Sequence, residues 1–276
     1  MNGPDQTRII APPARWLPVR GRELWAYREL LFFLVWRDLK VKYKQSAIGA
    51  AWALLQPLTV MAIFTVLFGK LAHVPSDGLP YPVFAFTGLI PWTYFATALG
   101  FASASLVANA PLISKVYFPR LLLPSASCLA ALADLAISAS FLIVLLPVYG
   151  AWPSWRALWL VPLAVLALVT ALGCAFWLAA TNVRFRDAQY AVPFLIQVGF
   201  FATPVAFPSA LVPERYRVLL GLNPMTAVVE GFRWALTSKP FPSTPMMLLS
   251  VAVGAALFVG GLYYFVQVER DFADVV

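Results

Sequence analysis

The sequence predicts an all-α integral membrane protein with six transmembrane helices and with both termini in the cytosol. Of its 276 residues, 61% are hydrophobic and only 12% are charged, which is too apolar for a water-soluble globule of this size. Charge-poor runs recur along the chain, each about as long as the roughly 20 residues that a helix needs to cross a bilayer. Because lipid offers no partner to unpaired backbone groups, these runs must be helical where they cross.

Two segments precede the first predicted span. Residues 1–22 are predicted to be a cytoplasmic tail, because they lack a short apolar stretch followed by a cleavage site. Residues 23–44 are predicted to be an amphipathic helix in the cytoplasmic interface. One stripe of this helix is apolar and another is basic, and they contain Leu24, Leu31, Val35 and Leu39 and Arg37, Lys40 and Lys44, respectively. Its longest apolar run is too short to cross the membrane, so we expect it to lie flat, with cations facing lipid phosphates. A plain membrane anchor is the simpler alternative.

The transmembrane domain is predicted to extend from residue 45 to residue 276. The predicted spans are 47–68, 83–108, 121–150, 157–182, 188–207 and 246–268. Lys and Arg residues are concentrated on the inner side in this arrangement, which favours an N-in, C-in orientation.

The connection 209–244 is amphipathic and interrupted by several prolines, which predicts a re-entrant helical hairpin of two short helices between spans five and six. Irregular backbone at this depth is tolerated only against protein or a water-filled path. The hairpin is therefore a candidate outer gate.

Asp134 is the only ionisable residue placed deep in a predicted span. A charge there costs roughly 2.5 to 3.5 kcal/mol on insertion scales, so the side chain must be paired, solvated or protonated. It shares a helix face with Ala130 and Ser138, which directs it towards another helix or an aqueous path. Structural pairing, a path-lining role and proton coupling all remain open, although a proton relay would need several such groups.

The residue patterns of an intramembrane enzyme are missing from the sequence. His73 is the single histidine, so no cluster is available for metal binding or nucleophilic catalysis. No G-x-x-x-x-G-K-[ST] loop occurs, so an ATP-driven step would take place on another polypeptide. Nucleic acid is not an expected partner, because the basic residues directly precede an uncharged run, which suits anionic lipid. We expect no catalytic residue, no metal site and no cofactor in this chain.

Four stretches of the sequence resemble one known family. They are LLFFLVWRDLKVKYKQSAIGAAWALLQPL at 30–58, ISKVYFPR at 113–120, NVRFRDAQYAVPFLIQVGFFATPVAFP at 182–208 and NPMTAVVEGFRWAL at 223–236. Together they resemble the ABC-2 type permeases that export O-antigen, teichoic acid and related polysaccharides. The resemblance covers nearly the whole chain in the same order, and it is closer to the O-antigen and teichoic-acid branch than to the group 2 capsule branch.

This resemblance implies a homodimeric permease in the bacterial cytoplasmic (inner) membrane. Two copies of a separate nucleotide-binding subunit would hold ATP and Mg²⁺, and the expected substrate is an undecaprenyl-pyrophosphate-linked glycan. By the same resemblance, the interface helix and a short coupling helix at 112–120 contact the ATPase. The implied coupling residues are Glu29, Arg37, Asp38, Ser114, Lys115, Tyr117 and Arg120. The implied outer-gate residues are Pro213, Tyr216, Pro224, Glu230, Phe232 and Arg233.

Two further groups are candidates for contacts with such a substrate. Each Lys or Arg near the membrane surface attracts anionic headgroups by about 1 kcal/mol, so a basic group at the inner surface is a candidate for the pyrophosphate. Its members are Arg37, Lys40, Lys42 and Lys44, for which docking to the ATPase is the rival assignment. Flat apolar faces would let a sugar polymer slide past, although such residues are more often lipid-facing or core. The channel-lining candidates are Phe95, Phe101, Phe200, Phe201 and Asp134.

Other transporter classes remain as alternatives. An ABC-2 permease for a drug or a lipid would have a similar hydropathy pattern. An ion-coupled or proton-coupled secondary transporter would have to work with one buried acid and without an ATPase partner. An intramembrane glycosyl or prenyl transferase would need acidic residues that the spans lack.

Overall fold

The computed structural model describes residues 21–44, 49–150, 152, 154–185, 187–237 and 239–269. Within these ranges the chain is helical and contains no strand. In chain order the helices are α1 (Gly21–Ala26), α2 (Arg28–Lys44), α3 (Trp52–Phe64), α4 (Tyr81–Ala108), α5 (Ala110–Ile113), α6 (Leu122–Leu145), α7 (Leu160–Arg184), α8 (Ala188–Ala202), α9 (Glu214–Arg217), α10 (Met225–Leu236) and α11 (Thr244–Glu269). The predicted tail lies outside the described residues, except for the first residues of α1.

Five of the described helical segments are long and apolar enough to cross a membrane. They are Gly49–Leu71, Tyr81–Ala108, Leu122–Tyr149, Trp155–Arg184 and Thr244–Glu269. Short 3₁₀ or π-helical turns extend α3, α6 and α7 to these lengths. The chain is therefore a multi-pass membrane protein, and five of the six predicted spans coincide with a helix of sufficient length.

The helix at the predicted fifth span, α8, is shorter than the sequence suggested. It ends at Ala202 instead of at residue 207, and its 15 residues extend about 22 Å, against a bilayer core of about 30 Å. The physical reason is Pro204, because a proline disfavours the helical conformation of the residue before it, and Thr203 is indeed extended. A sixth crossing at this place remains a prediction.

The core of the bundle surrounds α4. Most of this helix is buried, and it packs against α6 and α7 along its length and against α10. The other close helix pair is α7 and α11, which cross at Gly173 and Gly261. Small residues at a crossing let two backbones approach, which favours helix association in lipid. In contrast, only 6% of the apolar window of Gly49–Leu71 is buried, so α3 lies at the periphery of the chain.

The segment between α8 and α11 contains two short helices, as the hairpin prediction requires. The first, α9, continues as a 3₁₀ turn at Val218–Leu222, and α10 follows after Pro224. The side chains of α10 are almost all buried against α4, α7 and α11. This helix is therefore enclosed by protein, whereas its re-entrant course in the bilayer remains a prediction.

The predicted interface helix is present, with a break at Tyr27 between α1 and α2. Three of the four residues of the predicted apolar stripe, Leu24, Leu31 and Val35, pack on a core cluster at this end of the bundle. The outward face is rich in large apolar side chains. Those exposed are Trp25, Phe32, Phe33, Trp36 and Val41. Arg37 differs from the exposed Lys40 and Lys44, because its guanidinium is bound by Asp38 on α2 and by Asn109, the residue after α4.

Candidate functional site

Polar side chains at the end of α2 meet α6 in one place. Lys42 forms an ion pair with Asp134, and the Tyr43 hydroxyl donates a hydrogen bond of 2.5 Å to the other oxygen of the same carboxylate. The side chain of Asp134 is 10% exposed and that of Lys42 is 30% exposed. We call these three residues the Lys42–Asp134 cluster. The charge of Asp134 is thus balanced by a cation from the interface helix.

The environment of Tyr43 keeps its hydroxyl available as a donor. Burial, and then the hydrogen bond with Asp134, raise the pKa of Tyr43 above its ordinary value, so the phenol stays neutral. The Nζ atom of Lys42 also lies 5.9 Å from the ring centroids of Tyr43 and Phe101, within the range of a cation–π interaction. Lys42 is therefore positioned by one carboxylate and two aromatic rings.

A cavity of about 60 Å³ opens beside the Lys42–Asp134 cluster, between α3, α4 and α6. Its polar lining consists of Lys42, Gln56, Thr93, Thr97, Asp134 and Ser138. The Ser138 hydroxyl donates to the Ala53 carbonyl at 2.9 Å, which ties α6 to α3 at the cavity wall. A space of this size holds roughly four water molecules, and the lining supplies hydrogen-bond partners for them. The carboxylate of Asp134 is thus beside a site that can be hydrated.

A second network fastens α2 to the neighbouring helices. Arg37 donates to the Asp38 carboxylate from Nε at 3.1 Å and from Nη2 at 2.9 Å, and its Nη1 donates to Asn109 at 2.9 Å. Asp38 accepts a further hydrogen bond from Ser127 on α6 at 3.3 Å. Since Asn109 is the residue that follows α4, Arg37 joins the interface helix to the start of the connection between α4 and α6.

The four headgroup candidates therefore fall into two classes. Arg37 and Lys42 are engaged by side chains of the bundle. Lys40 and Lys44 are exposed, and Lys40 lies 5.4 Å from the ring centroid of Trp36. The side chain of Arg37 is 42% exposed, but its guanidinium is already bound to Asp38 and Asn109. Lys40 and Lys44 therefore present the more accessible charges.

The predicted coupling helix at 112–120 is only partly helical. The single turn α5 ends at Ile113, and a loop then leads to α6, because Pro119 breaks the helical conformation of the residue before it. Val116 is 53% exposed and Tyr117 is 83% exposed, so an apolar tip projects from this loop.

The other coupling candidates take different positions. The backbone N–H of Arg120 donates to the Glu269 carboxylate at 3.1 Å, and its guanidinium donates to the Glu269 carbonyl at 2.9 Å. The segment is thereby tied to the last turn of α11. Ser114, Lys115 and Glu29 are exposed at the same end of the bundle.

The phenylalanine candidates do not form one continuous surface. Phe95 is buried inside the chain, with its ring centroid 5.5 Å from that of Trp92, so it is not available as a lining residue here. Phe200 contacts Trp92 and Phe201, and Phe201 is 65% exposed. Phe101 is 60% exposed and lies beside Lys42, away from this aromatic group.

The outer-gate candidates include a buried ion pair. Arg233 donates from Nη1 to Glu230 at 2.9 Å and from Nη2 to the Val205 carbonyl at 2.6 Å. Its guanidinium carbon lies 3.8 Å from the ring centroid of Phe84 on α4. A Cβ at Gly88 would be 2.8 Å from Nη2, so glycine is required for this approach. One guanidinium therefore joins α10, α4 and the turn after α8.

The sequence predicts Arg233 only as an outer-gate residue, and the structure shows that its side chain is 5% exposed and paired with Glu230. The sequence signal for this ion pair was the spacing of three residues between Glu230 and Arg233 on an apolar helix, since side chains three apart are neighbours on one face. Gly88 and Val205 offered no signal, because one contributes only space and the other only a backbone carbonyl.

The remaining gate candidates are separate from this pair. Pro213 and Pro224 directly precede α9 and α10, where the fixed backbone angle of proline suits a helix start. Tyr216 is 48% exposed beneath Arg215, and Phe232 is buried in the core.

Comparison with known proteins gives a consistent result. The family described as ABC-2 type transporter matches residues 29–237. The chain is 34% identical over 259 residues to the O-antigen export system permease protein RfbA of Myxococcus xanthus, covering 92% of this chain and 98% of that protein. It is 29% identical to RfbA of Klebsiella pneumoniae, covering 90% and 95% of the two chains. It is 26% identical to the polysialic acid transport protein KpsM of Escherichia coli, covering 72% and 78%.

Proposed function

Because the chain belongs to the ABC-2 type transporter family, we propose that it is the permease subunit of an exporter for a polyprenyl-pyrophosphate-linked, O-antigen-like polysaccharide. The observation that carries this proposal is the match to the O-antigen export permease of Myxococcus xanthus over 98% of that protein. Five helical segments able to cross a membrane are consistent with a permease in the bacterial cytoplasmic membrane.

The proposed exporter is a homodimer of this chain with two copies of a cytoplasmic ATPase, which supplies the nucleotide chemistry. The loop tip formed by Val116 and Tyr117 supports a docking role, because an exposed apolar tip suits a pocket on a protein partner. The contacts of Arg120 with Glu269 would carry a displacement of this loop to α11. ATP binding would then change the arrangement of spans around the path between the two copies.

The proposed site for the pyrophosphate is the end of α2. Lys40 and Lys44 are exposed there, and Lys42 lies between them in the chain. A diphosphate carries more negative charge than a single lipid phosphate, so closely spaced lysines select it electrostatically. The exposed aromatic residues on the outward face of α2 would hold the helix at the depth of the headgroups.

Purification together with the nucleotide-binding subunit tests the central proposal. We expect a stable complex whose ATPase activity rises when an undecaprenyl-pyrophosphate-linked glycan is added to the surrounding lipid, because substrate binding should favour the conformation that hydrolyses ATP. The ATPase activity of the same complex in phosphatidylcholine vesicles without the lipid-linked glycan gives the baseline. A chain that forms no such complex, and that moves substrate down an ion gradient, would contradict the proposal.

The double substitution K40Q/K44Q tests the pyrophosphate site. Each exposed lysine should contribute about 1 kcal/mol to the attraction of the anionic headgroup. Removing both charges should therefore raise the half-maximal concentration of the lipid-linked glycan in the ATPase assay by roughly 30-fold. The ion pair between Lys42 and Asp134 stays intact in this variant. Lys70→Gln, an exposed lysine at the opposite end of the first span, is the matched control. An equal response of the two variants would place the headgroup elsewhere.

A further inference from the structure

Two anionic groups can bind the ammonium group of Lys42: the carboxylate of Asp134 and the proposed diphosphate. In the chain Lys42 lies between Lys40 and Lys44 at the end of α2, where the proposed function places a diphosphate, yet its ammonium group is paired with Asp134. An anion approaching the end of α2 therefore meets a cation whose charge is already balanced by a carboxylate. The two partners compete for one ammonium group.

We propose that Asp134 is a positioning residue, which binds the ammonium group of Lys42 when no substrate is present. When a diphosphate headgroup binds at the end of α2, it replaces Asp134 as the ion-pair partner of Lys42. This inference rests on the proposed function of the end of α2 and adds a step to it. The exchange converts the anchoring contact between α2 and α6 into a contact with the substrate.

The geometry allows Lys42 to change partners. Its side chain is 30% exposed, so the ammonium group can reach the surface by rotation of its flexible stem. The exposed ring of Phe101 lies 5.9 Å from Nζ and flanks it together with Tyr43. A cation that moves along these rings keeps a favourable interaction while it leaves the carboxylate.

The surroundings of Asp134 can also stabilise its carboxylate after Lys42 has left. A buried carboxylate without a partner is strongly destabilising in a dry interior. Here the Tyr43 hydroxyl continues to donate its hydrogen bond, and the adjoining cavity admits water between Gln56, Thr93 and Thr97. The released carboxylate is therefore solvated instead of left unpaired.

The exchange couples headgroup binding to the position of the interface helix. When Lys42 leaves Asp134, one of the side-chain contacts between α2 and α6 is lost, while the contact of Asp38 with Ser127 remains. Asp134 and the headgroup compete for the same ammonium group, so any change that breaks the ion pair between Lys42 and Asp134 must also strengthen headgroup binding. Substrate occupancy is thereby communicated to α2.

Direct binding measurements with two variants test the proposal. The permease–ATPase complex is placed in phosphatidylcholine nanodiscs with increasing mole fractions of undecaprenyl pyrophosphate, and the half-saturating fraction is measured. Asp134→Asn removes the competing charge and keeps an acceptor for Tyr43, so it should lower the half-saturating fraction at least about fivefold, the lower end of typical coupling between sites.

The exchanged pair K42D/D134K covers the case in which Asp134→Asn fails to fold. This variant restores an ion pair between α2 and α6 but removes the cation from position 42. We expect folded yield close to that of the wild type and a half-saturating fraction raised at least about fivefold. An unchanged half-saturating fraction in the exchanged variant would show that binding does not use the cation at position 42, and that result would overturn the inference.

The controls separate the possible failures. Ser127→Ala removes a neighbouring contact between α2 and α6 without changing any charge, and it should leave the half-saturating fraction unchanged. Inorganic pyrophosphate, added as a soluble competitor, tests whether the diphosphate alone or only its lipid-anchored form is recognised. Absence of binding by the wild-type complex would overturn the proposed function and this inference together. Wild-type binding with no shift in either variant would overturn the inference alone.

Discussion

Arg233→Met is expected to destabilise the folded permease by about 3 to 5 kcal/mol, because it leaves Glu230 as a buried charge without its partner. The same substitution removes the hydrogen bond to the Val205 carbonyl and the contact with the Phe84 ring. Three parts of the chain would lose their common contact at once. The fraction folded against increasing denaturing detergent, monitored by intrinsic fluorescence, measures the effect.

Two comparison variants define how this result is to be interpreted. Arg215→Met removes the same charge from the same connection, but Arg215 is exposed, so its effect should stay within about 0.5 kcal/mol. The double variant E230Q/R233M removes both charges and should recover part of the lost stability. Equal stability of the Arg233 and Arg215 variants would contradict a bridging role for Arg233.

Gly173→Ala is expected to cost about 3 kcal/mol, the upper end of the usual cost of overpacking. A Cβ at this position would lie 2.6 Å from the backbone nitrogen of Phe258 and 2.8 Å from its Cα. Because these are backbone atoms, a side-chain rotation cannot relieve the contact, and α7 and α11 must separate. The expected result is a lower unfolding temperature of the purified complex and a smaller monodisperse fraction in size-exclusion chromatography.

Gly100 on α4 provides the matched control for that experiment. A Cβ there meets no atom within 4 Å, and the position is helical and exposed, so Gly100→Ala should be neutral or slightly stabilising. If both glycine variants behave alike, close backbone approach is not what joins α7 to α11.

The features that sequence could predict are those set by local composition. Charge-free runs locate five spans because the cost of charge in lipid acts on every residue of a crossing helix. The prolines after residue 207 likewise divide the connection before α11 into short helices, since proline acts on its immediate neighbours. The early end of α8 at Ala202 follows from the same local rule, because Pro204 lies inside the predicted span. The absence of charge up to residue 207 favoured the longer helix.

The sequence does not predict which residues the polar side chains contact. Lys42 and Asp134 are 92 residues apart in the chain, and their contact depends on how α2 and α6 are rotated about their axes. Hydrophobic periodicity indicates which face of a helix is apolar, but it does not identify the helix that the face will meet. For the same reason, the burial of Phe95 and the exposure of Phe201 became visible only in the folded chain.

The side-chain contacts at the end of the bundle that contains α2 limit how its parts can move. Arg37 joins α2 to Asn109 at the start of the connection between α4 and α6, and Arg120 joins the end of that connection to α11. In mechanical terms, the three elements are linked in series, so none of them is free to move as an independent arm. We therefore expect a force applied at the loop tip around Tyr117 to reach both α2 and α11 through side-chain contacts at this end of the bundle.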